Sequence, residues 1–258
     1  MIPMQDRIDA ILKKDSYDVY DMVEIVRILR SENGCPWDKV QTHSSIRNDM
    51  IEEAYEVVEA IDCDSVPMMR EELGDVMLQV VFHTVIEEEN GNFRLDDVAD
   101  ELCKKLIVRH PHVFGDVQAD TVDKVLTNWD AIKKETKGQE TFTDTLESVP
   151  KNFPALMRAQ KLGKRAARAG IDFSSQEDIY SALSQALDAI KAAEKNGQDA
   201  SGSIGGLLML CANLARRLDV DAEQALADCC KGLIVRFREL EEKGGELSGV
   251  SASELYPY

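Results

Sequence analysis

The chain has 258 residues, of which 44% are hydrophobic, and it carries a formal net charge of −18. This length suits one large domain or two small ones, and the acidic excess argues against sequence-independent binding to nucleic acid. No apolar run is long enough to span a membrane, and the N-terminus is typical of an ordinary helix rather than a secretory signal. The six cysteines form no CxxC pair, so we expect a reducing, cytoplasmic setting and no zinc site.

Apolar residues recur at helical spacing through most of the chain, which predicts an all-α fold. The predicted helices of the first half cover residues 18–32, 51–61, 73–86, 95–109 and 121–136. The segment NGCPWDKVQTH, between the first two helices, is a loop by its glycine and proline. We expect Trp37 in this loop to line a cleft, although a loop tryptophan more often fills a core. We expect Ser44 or Ser45 to cap the helix that follows.

Five acidic residues lie on the two helices that flank a short turn at residues 64–67. They are Glu52, Glu53, Glu56, Glu72 and Asp75. Residues three apart share a helix face, so Glu53 and Glu56 point the same way, as do the acids at 72 and 75. Packed together, the helices would gather four carboxylates that repel one another unless cations lie among them. Ligand sets of oxygen alone favour Mg²⁺ or Mn²⁺. For either pair alone, a solvated helix face is the alternative.

Apolar residues around the acidic positions favour the metal interpretation. On the first helix they form a stripe that we expect to face the core: Ile51, Ala54, Tyr55, Val58 and Ile61. The second helix is apolar almost all round, which predicts that it is largely buried. Asp75, Gln79 and His83, four residues apart, then form a polar line inside a buried helix. Buried polar groups need partners, and a metal-filled cleft would supply them.

Two cationic residues on the helix at 95–109 share a face because they are four residues apart: Lys105 and Arg109. Cations near a helix C-terminus are favourable in themselves. The alternative is that these two side chains meet the phosphates of a ligand held by the metal ions.

The second half of the chain repeats the first. Residues 104–113 (KKLIVRHPHV) match 231–240 (KGLIVRFREL), and residues 74–86 match 205–217. In this register the five acidic positions fall against Ser181, Ala182, Gln185, Ser203 and Gly206. A repeated unit indicates duplication. The second copy has lost every carboxylate and kept the hydrophobic pattern, which indicates that the acids serve something other than folding.

The segment KGQETFTDTLESVP is typical of a linker because of its glycine, threonines, serine and proline. We therefore expect a catalytic helical domain at residues 1–136, a linker at 137–149, and a degenerate helical domain without the acidic site at 150–258.

The chain contains five segments that occur together in one family: GCPWDKVQTH, IEEAYEVVEAI, EELGDVMLQVVFH, RHPHVFG and LTNWDAIK. They resemble the MazG nucleoside triphosphate pyrophosphohydrolases, and the resemblance covers residues 18–243. It implies an all-α bundle, here two in tandem, that forms a homodimer or higher homo-oligomer and depends on Mg²⁺. It also implies conversion of NTPs or dNTPs to the monophosphate and pyrophosphate. Some two-domain members use the C-terminal copy for catalysis, but here the missing acids assign activity to the N-terminal half.

The resemblance also implies roles for single residues. The Mg²⁺ ligands would be Glu53, Glu56, Glu72 and Asp75. The segment from Lys105 to Arg109 would contact the phosphates and the nucleotide, and the indole of Trp129 would lie near the nucleotide. Independently of the resemblance, the composition of its loop makes Trp37 a candidate for substrate binding at the wall of the cleft. Glu52, the first glutamate of the motif, could take the proton of the attacking water.

Three other functions fit parts of the sequence. A nucleotide or alarmone sensor would bind without turnover, which leaves the intact acidic set without a purpose. A di-iron carboxylate bundle needs Glu-x-x-His pairs, whereas the residues three after Glu53, Glu56 and Glu72 are all acidic. A purely structural helical adaptor leaves the polar line in a buried helix unexplained.

Overall fold

The structure is a computed structural model that describes residues 3–117, 121, 124–125, 141–242 and 251. Within these ranges it contains helices and no strand, so the predicted all-α fold is confirmed. The chain divides into two compact units, Met1–Trp129 and Asp130–Tyr258. In the described residues no helix is both long and apolar enough to cross a membrane.

The N-terminal unit consists of six α-helices and one 3-10 helix in its described part. They are α1 (Met4–Leu12), α2 (Val19–Arg30), the 3-10 helix (Asp38–Val40), α3 (Asp49–Asp62), α4 (Val66–Glu89), α5 (Leu95–Arg109) and α6 (Pro111–Phe114). The first four predicted helices are therefore confirmed, with α4 starting earlier than expected. The predicted helix at 121–136, with Trp129, lies outside the described residues apart from positions 121, 124 and 125.

Local sequence explains where these helices begin. The side chain of Asp18 accepts hydrogen bonds from the backbone N–H groups of Tyr20 and Asp21 at the start of α2. Ser65 caps α4 in the same way through the N–H of Met68. The prediction that Ser44 or Ser45 caps α3 is wrong, because α3 begins later and has no side-chain cap. Ser45 instead forms hydrogen bonds within its own loop.

The core of the N-terminal unit lies between α2, the loop before α3 and the C-terminal half of α4. Its buried members are Val23, Val26, Ile46, Val81, Phe82, Val85 and Ile86. The prediction that the second helix is largely buried therefore holds only for its C-terminal half. In the N-terminal half, Leu73 and Met77 are 49% and 44% exposed.

The predicted core stripe on α3 is wrong in the single chain. Ile51, Tyr55, Val58 and Ile61 are between 41% and 58% exposed, and Ala54 is exposed as well. The physical reason is that α3 packs along one side against α4, while no described part of this chain covers its other apolar side. An amphipathic pattern records that a helix has an apolar face but not what covers it.

The C-terminal unit repeats this arrangement. Its described helices are α7 (Phe142–Glu147), α8 (Ala155–Arg168), α9 (Gln176–Lys195), α10 (Ser201–Arg217) and α11 (Ala222–Glu242). Helix α9 packs on α10 as α3 packs on α4, and α8 packs on α10 as α2 packs on α4. Val81 and Ala212, which the repeat places in register, are both fully buried. The fold is thus a tandem helical arrangement, and α7 lies within the segment predicted as a linker.

Candidate metal centre

Three carboxylates from two helices meet in the N-terminal unit. Glu53 and Glu56 project from α3 and Glu72 from α4, and one oxygen of each lies within 4.8 Å of the others. Residues three apart on α3 share a face. The short turn at residues 63–65, where Asp64 adopts a positive φ of 49°, brings α4 back against that face. Glu53 and Glu72 are half-buried and Glu56 is exposed.

Electrostatic repulsion marks this cluster. Partial burial raises the pKa of Glu53, and the negative charges of Asp75, Glu56 and Glu72 raise it further. The pKa of Glu72 is raised first by burial and then by Glu56, with contributions from Glu71 and Asp75. Asp75 therefore acts on the same site, although its oxygens are not part of the tight group of three. Crowded carboxylates whose ionised form is disfavoured gain from a nearby cation.

The donor set fits a hard divalent ion. Among the described residues the group consists of carboxylates alone, with no histidine or cysteine. Oxygen ligands of this type suit Mg²⁺, Mn²⁺ or Ca²⁺ rather than Zn²⁺. The absence of a histidine ligand from this group also gives no support to the di-iron alternative.

The other predicted site residues are not part of the group of three carboxylates. Glu52 is exposed in the first turn of α3, outside the group of three. Lys105 is exposed on α5 and lines a cavity of about 330 Å³ with Phe93 and Leu102. In the described part of the chain, no ion pair joins Lys105 to the carboxylates. Arg109 is half-buried at the end of α5. Trp129 lies outside the described residues.

The loop before α3 is held tightly on the rest of the unit. A Cβ atom at Gly34 would lie 2.3 Å from the carbonyl oxygens of Ile28 and Leu29, so the loop passes the end of α2 where only glycine fits. Nη1 of Arg30 donates to the carbonyl oxygens of Asp38 and Gln41, at 2.8 and 3.1 Å. These contacts fix the turn that carries Trp37, whose side chain is 60% exposed.

Arg30 also ties this loop to α4. Its Nε and Nη2 donate to the two carboxylate oxygens of Glu89, at 2.9 and 2.8 Å. Its guanidinium lies 5.2 Å from the centre of the Phe82 ring. A bidentate pair with a nearly buried arginine is stronger than an ordinary surface pair. Sequence reasoning missed Arg30, because its carboxylate partner Glu89 lies 59 residues away in the chain.

The predicted polar line on α4 exists and is longer than expected. Gln79 is 8% exposed, and its Oε1 is buried with no hydrogen-bond partner among the described residues. Nδ1 of His83 lies 2.7 Å from Nδ1 of His43, which comes from the loop before α3. Nε2 of His43 lies 2.5 Å from a carboxylate oxygen of Glu87. Sequence reasoning missed Glu87, although its place four residues after His83 was a signal.

Comparison with known proteins gives the family. Residues 41–114 match the model of the MazG nucleotide pyrophosphohydrolase domain. The chain is 40% identical over 222 residues to the nucleoside triphosphate pyrophosphohydrolase/pyrophosphatase MazG of Thermotoga maritima, covering 86% of this chain and 85% of that protein. It is 37% identical over 243 residues to the nucleoside triphosphate pyrophosphohydrolase of Escherichia coli, covering 91% and 92%. Family model, relatives and carboxylate cluster agree, and the chain belongs to the MazG family of nucleotide pyrophosphohydrolases.

Proposed function

We propose that this chain hydrolyses nucleoside triphosphates, NTPs or dNTPs, to the monophosphate and pyrophosphate, with Mg²⁺ at the α3–α4 cluster. The observation that carries the proposal is the meeting of Glu53, Glu56 and Glu72 within 4.8 Å. The raised pKa values of two of these acids support it, because a divalent ion would relieve the repulsion that raises them. The names of the relatives in T. maritima and E. coli support it as well.

Four acids hold the ion in this proposal. Glu53, Glu56 and Glu72 bind it through oxygens that already lie close together, and Asp75, whose charge raises the pKa of Glu53, is the fourth ligand. When bound, Mg²⁺ supplies charge neutralisation for the triphosphate and makes a water more acidic. Mn²⁺ would serve the same ligands, since both ions accept oxygen donors.

The remaining predicted residues act on the substrate. Glu52, or one of the ligating glutamates, accepts the proton of the water that attacks the α-phosphorus. Lys105 and Arg109 stabilise the charge on the transferred phosphate. Trp37 and Trp129 contribute apolar surface to nucleotide binding. Activity resides in the N-terminal unit, because the acids have no counterparts in the second copy.

Replacing single ligands tests the site. Glu53→Ala or Asp75→Ala should reduce Mg²⁺-dependent release of pyrophosphate from mixed NTPs by about a hundredfold or more, with helical content by circular dichroism unchanged. Glu59→Ala is the matched control, since it removes an acid from the exposed side of the same helix. Near-normal turnover in either ligand variant would refute the assignment. Tight nucleotide binding without turnover in the native chain would favour the sensor alternative.

We also propose that two copies of the chain associate. Ile51, Tyr55 and Val58 on α3, with Leu102 and Leu106 on α5, are all at least 41% exposed in the single chain. Apolar surface of this kind typically marks a protein interface, and the family resemblance implies a second copy as the occupant. Sedimentation equilibrium should give at least twice the chain mass of 28.8 kDa, and a monomer at micromolar concentration would contradict the proposal.

For the setting, we propose the cytoplasm. All six cysteines are free thiols in the structure, and unpaired cysteines are typical of reducing compartments. For the C-terminal unit, we propose a degenerate copy that supports the assembly without catalysing the reaction, beginning near residue 150 after a linker at 137–149. Fractionation of the native cells, followed by detection of the chain, tests the location.

A further inference from the structure

His43 and His83 are in direct contact in the N-terminal unit. Their rings stack with centroids 5.0 Å apart and an interplanar angle of 13°, and their Nδ1 atoms are 2.7 Å apart. Nε2 of His43 contacts Glu87 at 2.5 Å, and Glu87 also accepts from the side-chain amide of Asn92 at 2.5 Å. The contact joins the loop at residues 31–48 to α4.

Proton counting limits the states in which this contact survives. Two Nδ1 atoms at hydrogen-bond distance share a single proton, because one must donate and the other accept. Nε2 of His43 donates to Glu87. The two rings can therefore take up one extra proton, on Nε2 of His83, without losing the contact. When both rings carry a full positive charge and a second proton enters between the Nδ1 atoms, two N–H groups face each other and the contact breaks.

The surroundings keep the contact intact at neutral pH. Burial lowers the pKa of His83, and the charge of His43 lowers it further. Hydrogen bonds from Asn92 and then from His43 lower the pKa of Glu87, which stays ionised and able to accept. Three arginines on neighbouring elements are engaged with other glutamates: Arg27 and Arg94 with Glu88, and Arg30 with Glu89. Glu87 is the charged group that contacts the histidine pair in the described structure.

The second copy has lost this whole arrangement together with the carboxylates. In the register that pairs residues 74–86 with 205–217, Asp75, Gln79 and His83 correspond to Gly206, Leu210 and Leu214. One turn further, Leu218 stands where Glu87 would be. The loop at 31–48 is reduced to the connection 169–175 between α8 and α9. A helix with leucines at these positions folds and packs, so the polar line is not needed for folding.

We propose that His43, His83 and Glu87 form a latch that positions the loop at residues 31–48 for the reaction at the carboxylate cluster. The loop carries Trp37 and runs directly into α3, which carries Glu53 and Glu56. The three are positioning residues, since they lie apart from the reacting groups. Acidification that places a second proton between the two Nδ1 atoms breaks the contact and loosens the loop, which Arg30 still holds at Asp38 and Gln41. The effect of the latch on catalysis rests on the proposed hydrolysis, whereas the contact between the loop and α4 does not.

Trp37 reports directly on the latch. The chain has two tryptophans, so a Trp129→Phe background leaves Trp37 as the single emitter, and no nucleotide is needed. Time-resolved fluorescence anisotropy should show Trp37 gaining nanosecond local motion in one step on acidification. His83→Leu, the residue that the second copy uses, should give Trp37 the larger local motion at every pH, within the limits that the contacts of Arg30 set. The same change at His110, on the cap of α5, is the matched control and should keep the step.

Kinetics of the native chain test the coupling to catalysis. His83→Leu should raise KM about tenfold if the loop is positioned only a tenth of the time, with a smaller change in kcat. The latch predicts that kcat/KM of the native chain falls on acidification, and His83→Leu should remove the part of that fall that comes from the latch. A purely packing role would change the melting temperature without altering this pH profile.

Two results would overturn the latch. One is local motion of Trp37 that is equal in the parent and in His83→Leu across the whole pH range. The other is a clear fluorescence step with no effect of His83→Leu on KM, which would leave a loop contact unconnected to the carboxylate site. If the native chain releases no pyrophosphate at all, the proposed function fails, and the fluorescence experiment still decides whether the latch exists.

Discussion

The helix pair α3–α4 and its counterpart α9–α10 share a fold and differ in chemistry. In the first pair three carboxylates meet and two have raised pKa values. In the second, the positions of Glu52 and Glu56 are taken by Ser181 and Gln185, which share a hydrogen bond of 3.3 Å. The second pair packs without the acids, so the packing of such a helix pair does not require them.

The two units also differ in their cavities. The C-terminal unit contains a cavity of about 710 Å³, lined mostly by apolar side chains of α8 and α10, including Met209 and Leu210. Gly206, at the position of Asp75, lies on its wall. The first unit gathers carboxylates around Glu72, whereas the second presents apolar surface at the matching part of α10.

The largest expected effect is on the rate of hydrolysis. It should appear when an acid of the first copy is changed, and not when the matching residue of the second copy is changed. Glu72→Gln should lower Mg²⁺-dependent pyrophosphate release by about a hundredfold or more, because a neutral amide replaces a charged ligand. Ser203→Ala, at the matching position of the second copy, should leave the rate within a factor of about two, because the proposed site has no ligand there. Steady-state assays of both variants measure the difference. Equal losses would mean that the second unit contributes to the site.

A smaller effect, on the free energy of unfolding, should come from replacing Gln79 in the polar line of α4. Gln79→Leu, which installs the residue of the second copy, should raise the free energy of unfolding by about 1 kcal/mol, because a buried acceptor without a partner is removed. Urea denaturation measures the change. The reverse exchange, Leu210→Gln, should destabilise the second unit. A loss of stability in Gln79→Leu would show that the amide oxygen has a partner in solution.

The smallest effect should be a pH-dependent difference in melting temperature between the metal-free native chain and the metal-free Glu72→Gln variant. The pKa of Glu72 is raised in the folded chain, so the folded state favours its protonated form, and the resulting stability is lost as the pH rises through that pKa. In EDTA at neutral pH, Glu72→Gln should therefore melt slightly higher than the native chain, and the gap should close toward pH 4. The effect is small because the carboxylates are partly solvated. If the difference in melting temperature stayed constant across the pH range, the charge of Glu72 would be excluded as its cause.

Local sequence predicted the helices and the spacing of the acids, because both depend on contacts three or four residues apart. It could not predict what covers the apolar side of α3, since Ile51 and Tyr55 obey the same periodicity whether they face a core or another chain. It also missed the contact of His43 with Glu87, which spans 44 residues. Long-range pairs of this kind follow from the packing of the loop on α4 and leave no local pattern.

Helix α3 spans only Asp49–Asp62, yet it carries both the glutamates of the cluster and the exposed apolar side chains. A rotation of this helix about its axis moves both surfaces at once. Substitutions that remodel the outer surface will therefore shift the inner one. If two copies associate through the outer surface, as proposed, a change in that contact also changes how the glutamates of the cluster are held.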